Sequence, residues 1–132
     1  MIGLGEWRQT DTRSGISLMC APVVLDLVHL GLGPDGHTAS LVPGDPVLDV
    51  TDADVAVTGP YQGRRRMTLT YPILNRAHRI VWLVTGREKP EMVAPLYESD
   101  RSIPAARVRQ HAAVVLADLD AAAALGRVAS RR

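Results

Sequence analysis

The hydrophobic positions of this chain fall into short continuous runs, each closed by glycine, proline or charge, rather than into one long helical stripe. Residues 23–30 (VVLDLVHL) are nearly all apolar and stop at Gly31, and residues 80–84 (IVWLV) form a second such run. Runs this short, rich in β-branched side chains, are how strands buried on both faces look. Residues 114–117 predict a further strand. Val55–Val57 and residues 67–70 predict two more, separated by the turn-forming Gly59-Pro60 and Gln62-Gly63 and able to pair with each other. Helices are expected in between: a short one opened by Tyr71-Pro72 and reaching Arg76, one over 89–97 with Pro90 in its first turn, and an alanine-rich one over 118–125 that Asp118 could cap. Residues 1–21 show no sustained period and are expected to form a loop or poorly ordered arm, and 128–132 a solvated basic tail. Strands alternating with helices predict an α/β fold, a parallel sheet in a three-layer α/β/α arrangement.

Composition narrows the class. A chain of 132 residues is one domain or a piece of one, and 46% hydrophobic with 22% charged residues belongs to the soluble globular range. With no Phe and only 4% aromatic residues, the core must be built from Val, Leu and Ala. Fifteen basic against fourteen acidic residues leave a net charge of +1, which offers no general attraction for nucleic acid. No apolar run approaches the roughly 20 residues of a membrane span, and the first twenty residues lack the pattern of a signal peptide. The single cysteine, Cys20, has no partner for an intramolecular disulfide and is expected to be a reduced thiol, so the expected compartment is the cytoplasm.

Candidate chemistry is concentrated in one turn, Gly31-Leu32-Gly33-Pro34-Asp35-Gly36-His37-Thr38-Ala39-Ser40, directly after the first predicted strand. In open α/β sheets ligands bind beyond the carboxyl ends of strands, so this turn stands where a site is expected. Its glycines let the backbone approach a ligand, and the amides of a short helical turn expected over 38–41 could seat an anion. His37 is a proton acceptor and Asp35 a carboxylate able to orient it. Each feature also has a plainer reading, since tight turns need glycine anyway and a loop histidine is commonly just solvated. Asp-x-His could supply two metal ligands, but no further His, Cys or Glu cluster accompanies it. His29 is expected to be a packed core side chain, and His78 and His111 stand near predicted strand starts without a partner motif.

The whole string carries more than its parts. LDLVHLGLGPDGHTASLVPG, residues 25–44, resembles the signature of the 6-phosphogluconolactonases, a family grouped with the glucosamine-6-phosphate isomerases/deaminases. The residues after His37, from Thr38 to Gly44, are similar to the lactonase branch rather than the deaminase branch. The likeness continues through RRRMTLTYPILNRAHRIVWLVTGREKPEMV, residues 64–93, and IPAARVRQHAAVVLADLDAAAAL, residues 103–125. It implies hydrolysis of a phosphorylated sugar lactone without metal or cofactor, with His37 as the base that activates water and Asp35 beside it. Gly33, Gly36 and Thr38 would shape the substrate side of the loop. The resemblance places Arg66 and Lys89 at the substrate phosphate and Asn75 in the pocket wall. A dianion does call for a guanidinium fork or an ammonium point charge. Without the resemblance, Arg64, Arg65 and Arg66 read as a solvated strand edge and Lys89 as an exposed helix start.

Members of that family are considerably longer, and residues 1–21 resemble no part of their amino-terminal half. Residues 22–127 are therefore expected to be the carboxyl-terminal part of the domain, with one wall of the site and one cover of the sheet missing. Three functions follow from the resemblance: a lactonase fragment that self-associates or needs a complementing amino-terminal half, a non-catalytic phosphosugar-binding module, and, against the residues after His37, a sugar-phosphate isomerase or deaminase.

Overall fold

A computed structural model describes residues 21–111 and 113–125. Along the chain lie β1 (Leu27–Leu30), β2 (Val55–Val57), β3 (Met67–Leu69), α1 (Tyr71–Arg76), β4 (Arg79–Val84), α2 (Pro90–Glu98) and β5 (Ala113–Ala117), with 3-10 turns at Pro46–Asp49, Pro104–Arg107 and Ala121–Ala124. The apolar runs become a parallel sheet in the order β1-β4-β5, with Val28 opposite Ile80, Leu30 opposite Trp82, and Trp82 opposite Val115. β2 and β3 pair antiparallel as a separate ribbon, Val55 opposite Leu69 and Val57 opposite Met67.

Alternation along each strand decides what is buried, because successive side chains point to opposite faces. Val28, Leu30, Ile80, Trp82 and Val84 share one face and join a single core with Leu74 of α1 and Val93 and Leu96 of α2. Trp82, the largest side chain in that core, is fully buried, which compensates for the lack of phenylalanine. Each α-helix opens with a proline in its first turn, where an amide hydrogen would find no helical partner. α2 stops at Ser99, whose backbone turns left-handed (φ 57°) while its amide and that of Asp100 bond back to Leu96 and Pro95 carbonyls.

Four expectations need correction. β1 begins at Leu27 rather than residue 23, and Val23 and Val24 are exposed. Burial on both faces does not hold either: His29, expected in the core, is exposed with Leu27, Leu83, Val114 and Leu116 on the second sheet face. No described element covers that face, so two of the three expected layers are present among the described residues. Residues 38–41 form a tight turn instead of a helical one, with Leu41 N–H bonded to Thr38 O at 2.8 Å and Ala39 at φ 51°. Within the described residues the alanine-rich stretch is a 3-10 turn over Ala121–Ala124 followed by a helical Leu125; Asp118 does hold its start, Oδ1 accepting from Ala121 N–H at 2.7 Å. The expected arm and tail, with Cys20, lie outside the described residues apart from Ala21.

Candidate active site

β1 delivers the chain to its carboxyl end at Leu30, and the next seven residues fold into a closed loop. Gly33 N–H bonds to His37 O at 2.8 Å, Gly36 N–H bonds to Gly33 O at 3.1 Å, and the Thr38 hydroxyl donates to Gly31 O at 2.9 Å. Two glycines are required here for different reasons. A Cβ on Gly33 would lie 2.2 Å from His37 Nδ1, so the bare backbone is what lets the imidazole lie flat on the loop. Gly36 has φ +80°, a conformation that side chains disfavour, and a Cβ there would strike Ile103 at 2.6 Å.

The loop holds Asp35 and His37 as a pair. Asp35 Oδ1 meets His37 Nδ1 at 2.5 Å and also accepts the His37 backbone N–H at 3.2 Å. Burial raises the Asp35 carboxyl, but the two hydrogen bonds from His37 and the charge of its imidazolium form outweigh it, leaving Asp35 below the ordinary carboxylate value of 3.8. An ionised acceptor at Nδ1 keeps the proton of the neutral ring on that nitrogen and leaves the Nε2 lone pair free. With 23% of its side chain exposed, His37 is partly open to solvent and so reachable by water.

The β2–β3 ribbon brings in the next group. Between its strands, Tyr61 and Arg64 exchange backbone hydrogen bonds of 3.0 and 3.1 Å around Gln62 (φ 50°) and Gly63 (φ 75°), the paired left-handed geometry of a two-residue hairpin turn. This turn sets the Tyr61 ring edge-on to His37, with 6.1 Å between centroids, and Arg66 over the same ring at 5.3 Å. Ser40 N–H donates to Thr68 Oγ1 at 3.1 Å, tying the loop to β3. Imidazole, phenol ring and guanidinium thus form a contiguous row. Tyr61 was not singled out from sequence; its signal, a lone aromatic between Gly-Pro and Gln-Gly turns before three arginines, is visible only once the hairpin is known.

The remaining candidates are placed less directly. Thr38 is buried with its hydroxyl committed to Gly31, which makes it a brace of the loop. The amides expected to seat an anion are already engaged at Ser40 and Leu41. Lys89 starts α2 in the segment leaving β4, at the same sheet end as His37. Its side chain is only 16% exposed and its ammonium lies 3.4 Å from Glu88. Asn75 is elsewhere: its Oδ1 accepts Arg109 N–H at 2.7 Å, beside Ala77, where the following residues bond to Leu25 and Asp26 ahead of β1. It stands level with the starts of the parallel strands, while His37 follows the end of one. Among the described residues no group of three or more His, Cys, Asp or Glu is arranged to hold a metal ion, and no helix is long and apolar enough to cross a membrane.

Comparison with known proteins agrees with this architecture. The family described as glucosamine-6-phosphate isomerases/6-phosphogluconolactonase matches residues 10–116, beginning upstream of the signature stretch. The 6-phosphogluconolactonase of Rattus norvegicus is 41% identical over 104 residues, covering 76% of this chain and 40% of that protein. The GDH/6PGL endoplasmic bifunctional protein of Homo sapiens is 40% identical over 115 residues, covering 84% of this chain and 14% of that protein. The structure of 6-phosphogluconolactonase from Trypanosoma brucei superposes with a TM-score of 0.67 at 33% identity, over 77% of this chain and 43% of that one. The chain spans about 40% of the length of the 6-phosphogluconolactonases it matches. With a family match over residues 10–116, most of its length, this chain belongs to the glucosamine-6-phosphate isomerase/6-phosphogluconolactonase family.

Proposed function

We propose that this chain carries the proton-transfer part of a 6-phosphogluconolactonase site, acting in the cytoplasm on 6-phospho-D-glucono-1,5-lactone in the pentose phosphate pathway. The observation that carries this reading is the Asp35–His37 pair, with one ring nitrogen engaged at 2.5 Å and the other free. His37 Nε2 takes a proton from water as the water oxygen attacks the lactone carbonyl, and the imidazolium returns a proton to the ring oxygen as the ester bond breaks. Asp35, ionised throughout the neutral range, stabilises the imidazolium between these two transfers. In this reading Arg66, held over Tyr61, grips the substrate phosphate, and Lys89 supplies a second charge at the same sheet end. Gly33 and Gly36 give the loop the shape that presents the ring, and Thr38 braces it.

The open sheet face and the partial span of the relatives favour a second reading, in which the chain binds phosphosugar without turning it over unless a complementing amino-terminal half or another copy covers that face. One pair of measurements separates the two: lactone hydrolysis above the spontaneous rate by wild type and His37→Ala, and 6-phosphogluconate binding by calorimetry. Acceleration that His37→Ala abolishes supports the lactonase. Binding without acceleration selects the module, and absence of both rejects the two readings together.

A further inference from the structure

A cavity of about 450 Å³ opens between the end of α2 and the segment entering β5. Asn75, Ser99, Arg101, Arg107, Arg109 and Gln110 line it, and it shares no lining residue with the His37 loop, Tyr61, Arg66 or Lys89. Three of its lining residues are arginines, yet no Asp or Glu lines it, and among the described residues none of the three arginines is paired with a carboxylate. Ordinary surface arginines scatter among acids; three kept together without a counter-charge repel one another.

Hydrogen bonds position Arg107 and Arg109, while Arg101 stands exposed beside them. Arg107 Nε donates to Arg101 O at 3.1 Å, which fixes the fork and leaves its terminal nitrogens unengaged. Arg109 Nη2 donates to Ala77 O at 2.5 Å, and its backbone N–H holds Asn75 Oδ1 at 2.7 Å, leaving the Asn75 amide hydrogens as donors. The Ser99 hydroxyl adds another donor. Nearby, burial pushes the Tyr71 phenol up to about 12, with Arg107 and Arg101 pulling it down and Asp49 adding to the rise.

We propose that this cavity is a second anion site, taking the phosphate monoester group of a small metabolite, independent of the His37 centre. A dianion is the ligand that offsets uncompensated guanidinium charge, and planar forks match its oxygens bidentately. A pocket on a chain of net charge +1 also differs from the extended basic stripe that a nucleic acid needs.

The test is calorimetry and arginine-side-chain NMR on the whole chain at low salt, titrated separately with inorganic phosphate, glucose 6-phosphate and a short oligonucleotide. Both phosphate probes are expected to shift the Arg107 side-chain resonance, and Arg101→Gln/Arg107→Gln to weaken that binding about tenfold or more, the scale of a lost charge-assisted contact. Arg101→Gln alone, at an exposed position, should weaken it with the melting temperature unchanged. Arg66→Gln should leave this event untouched. The proposal is overturned if neither probe perturbs Arg101 or Arg107, if Arg66→Gln rather than the arginine pair removes binding, or if the oligonucleotide alone binds.

Discussion

A methyl group added at Gly33 would sit 2.2 Å from His37 Nδ1 and 2.3 Å from Cε1, so Gly33→Ala must push the imidazole off the loop. A displacement of about 1 Å at a reacting group costs on the order of a hundredfold in rate. Gly33→Ala is therefore expected to lower lactone hydrolysis by about that factor, while melting shifts by no more than the roughly 1–3 kcal/mol of local overpacking. Gly31→Ala, with open space around its added Cβ, is the control and should leave both unchanged. Comparable rates for the two variants would remove His37 from the mechanism. Asp35 makes a second prediction. Its carboxyl is lower in the fold than the 3.8 of the free side chain, so its stabilising contribution is complete above that value and disappears as pH falls through the lower folded one. The melting difference between wild type and Asp35→Asn should close as pH falls below 3.8 through the lower folded value. A difference that stays open once pH has fallen well below 3.8 would contradict the pairing.

Elements were readable from sequence where one local signal sufficed. The run Ile80-Val81-Trp82-Leu83-Val84 was readable as a strand because it is short, rich in β-branched and aromatic side chains and closed by Thr85-Gly86, and both helices opened where their prolines predicted. The Asp35–His37 pair was equally accessible, its partners being two residues apart on one turn. What could not be read depended on partners distant in sequence. Residues 23–26 look like strand, yet β4 starts its pairing at Leu27. Asn75 carries a polar side chain at a plausible pocket position, but Arg109, thirty-four residues away, takes its oxygen. Tyr71 shows the same dependence and can be tested. Its hydroxyl donates to Pro104 O at 2.9 Å, joining α1 to the turn that supports Gly36, and burial, against the charges of Arg107 and Arg101, raises its phenol to about 12. The neutral phenol is the form the fold favours, so this contribution holds below 10.0 and is lost as pH rises through about 12. Tyr71→Phe is expected to cost about 0.5–1.5 kcal/mol at neutral pH by denaturant melts. In an alkaline absorbance titration, one of the three tyrosines should ionise well after the others; three ionising together near 10 would refute the burial argument.

At the largest scale, the sheet is covered on one side only among the described residues. Leu27, Leu83, Val114 and Leu116 are 57, 47, 55 and 52% exposed, and the strand register sets them on one face around His29. β1 and β5 are both edges of this sheet, so unpaired backbone groups border an apolar surface. Water contact on such a face favours association, and the chain is expected to sediment with concentration-dependent mass and to bind a hydrophobic dye. Leu83→Lys/Leu116→Glu places charges on that face at positions already about half in water, so it should suppress association at a stability change of only about 0.5 kcal/mol per site. Trp82→Ala on the opposite face, where the side chain is fully buried, should cost about 3–5 kcal/mol. The contrast between neighbouring residues of β4 makes the test specific. If the charged pair costs as much stability as Trp82→Ala, or if the wild-type chain is a dye-silent monomer at every concentration, the second face is already covered and the two-layer arrangement is wrong.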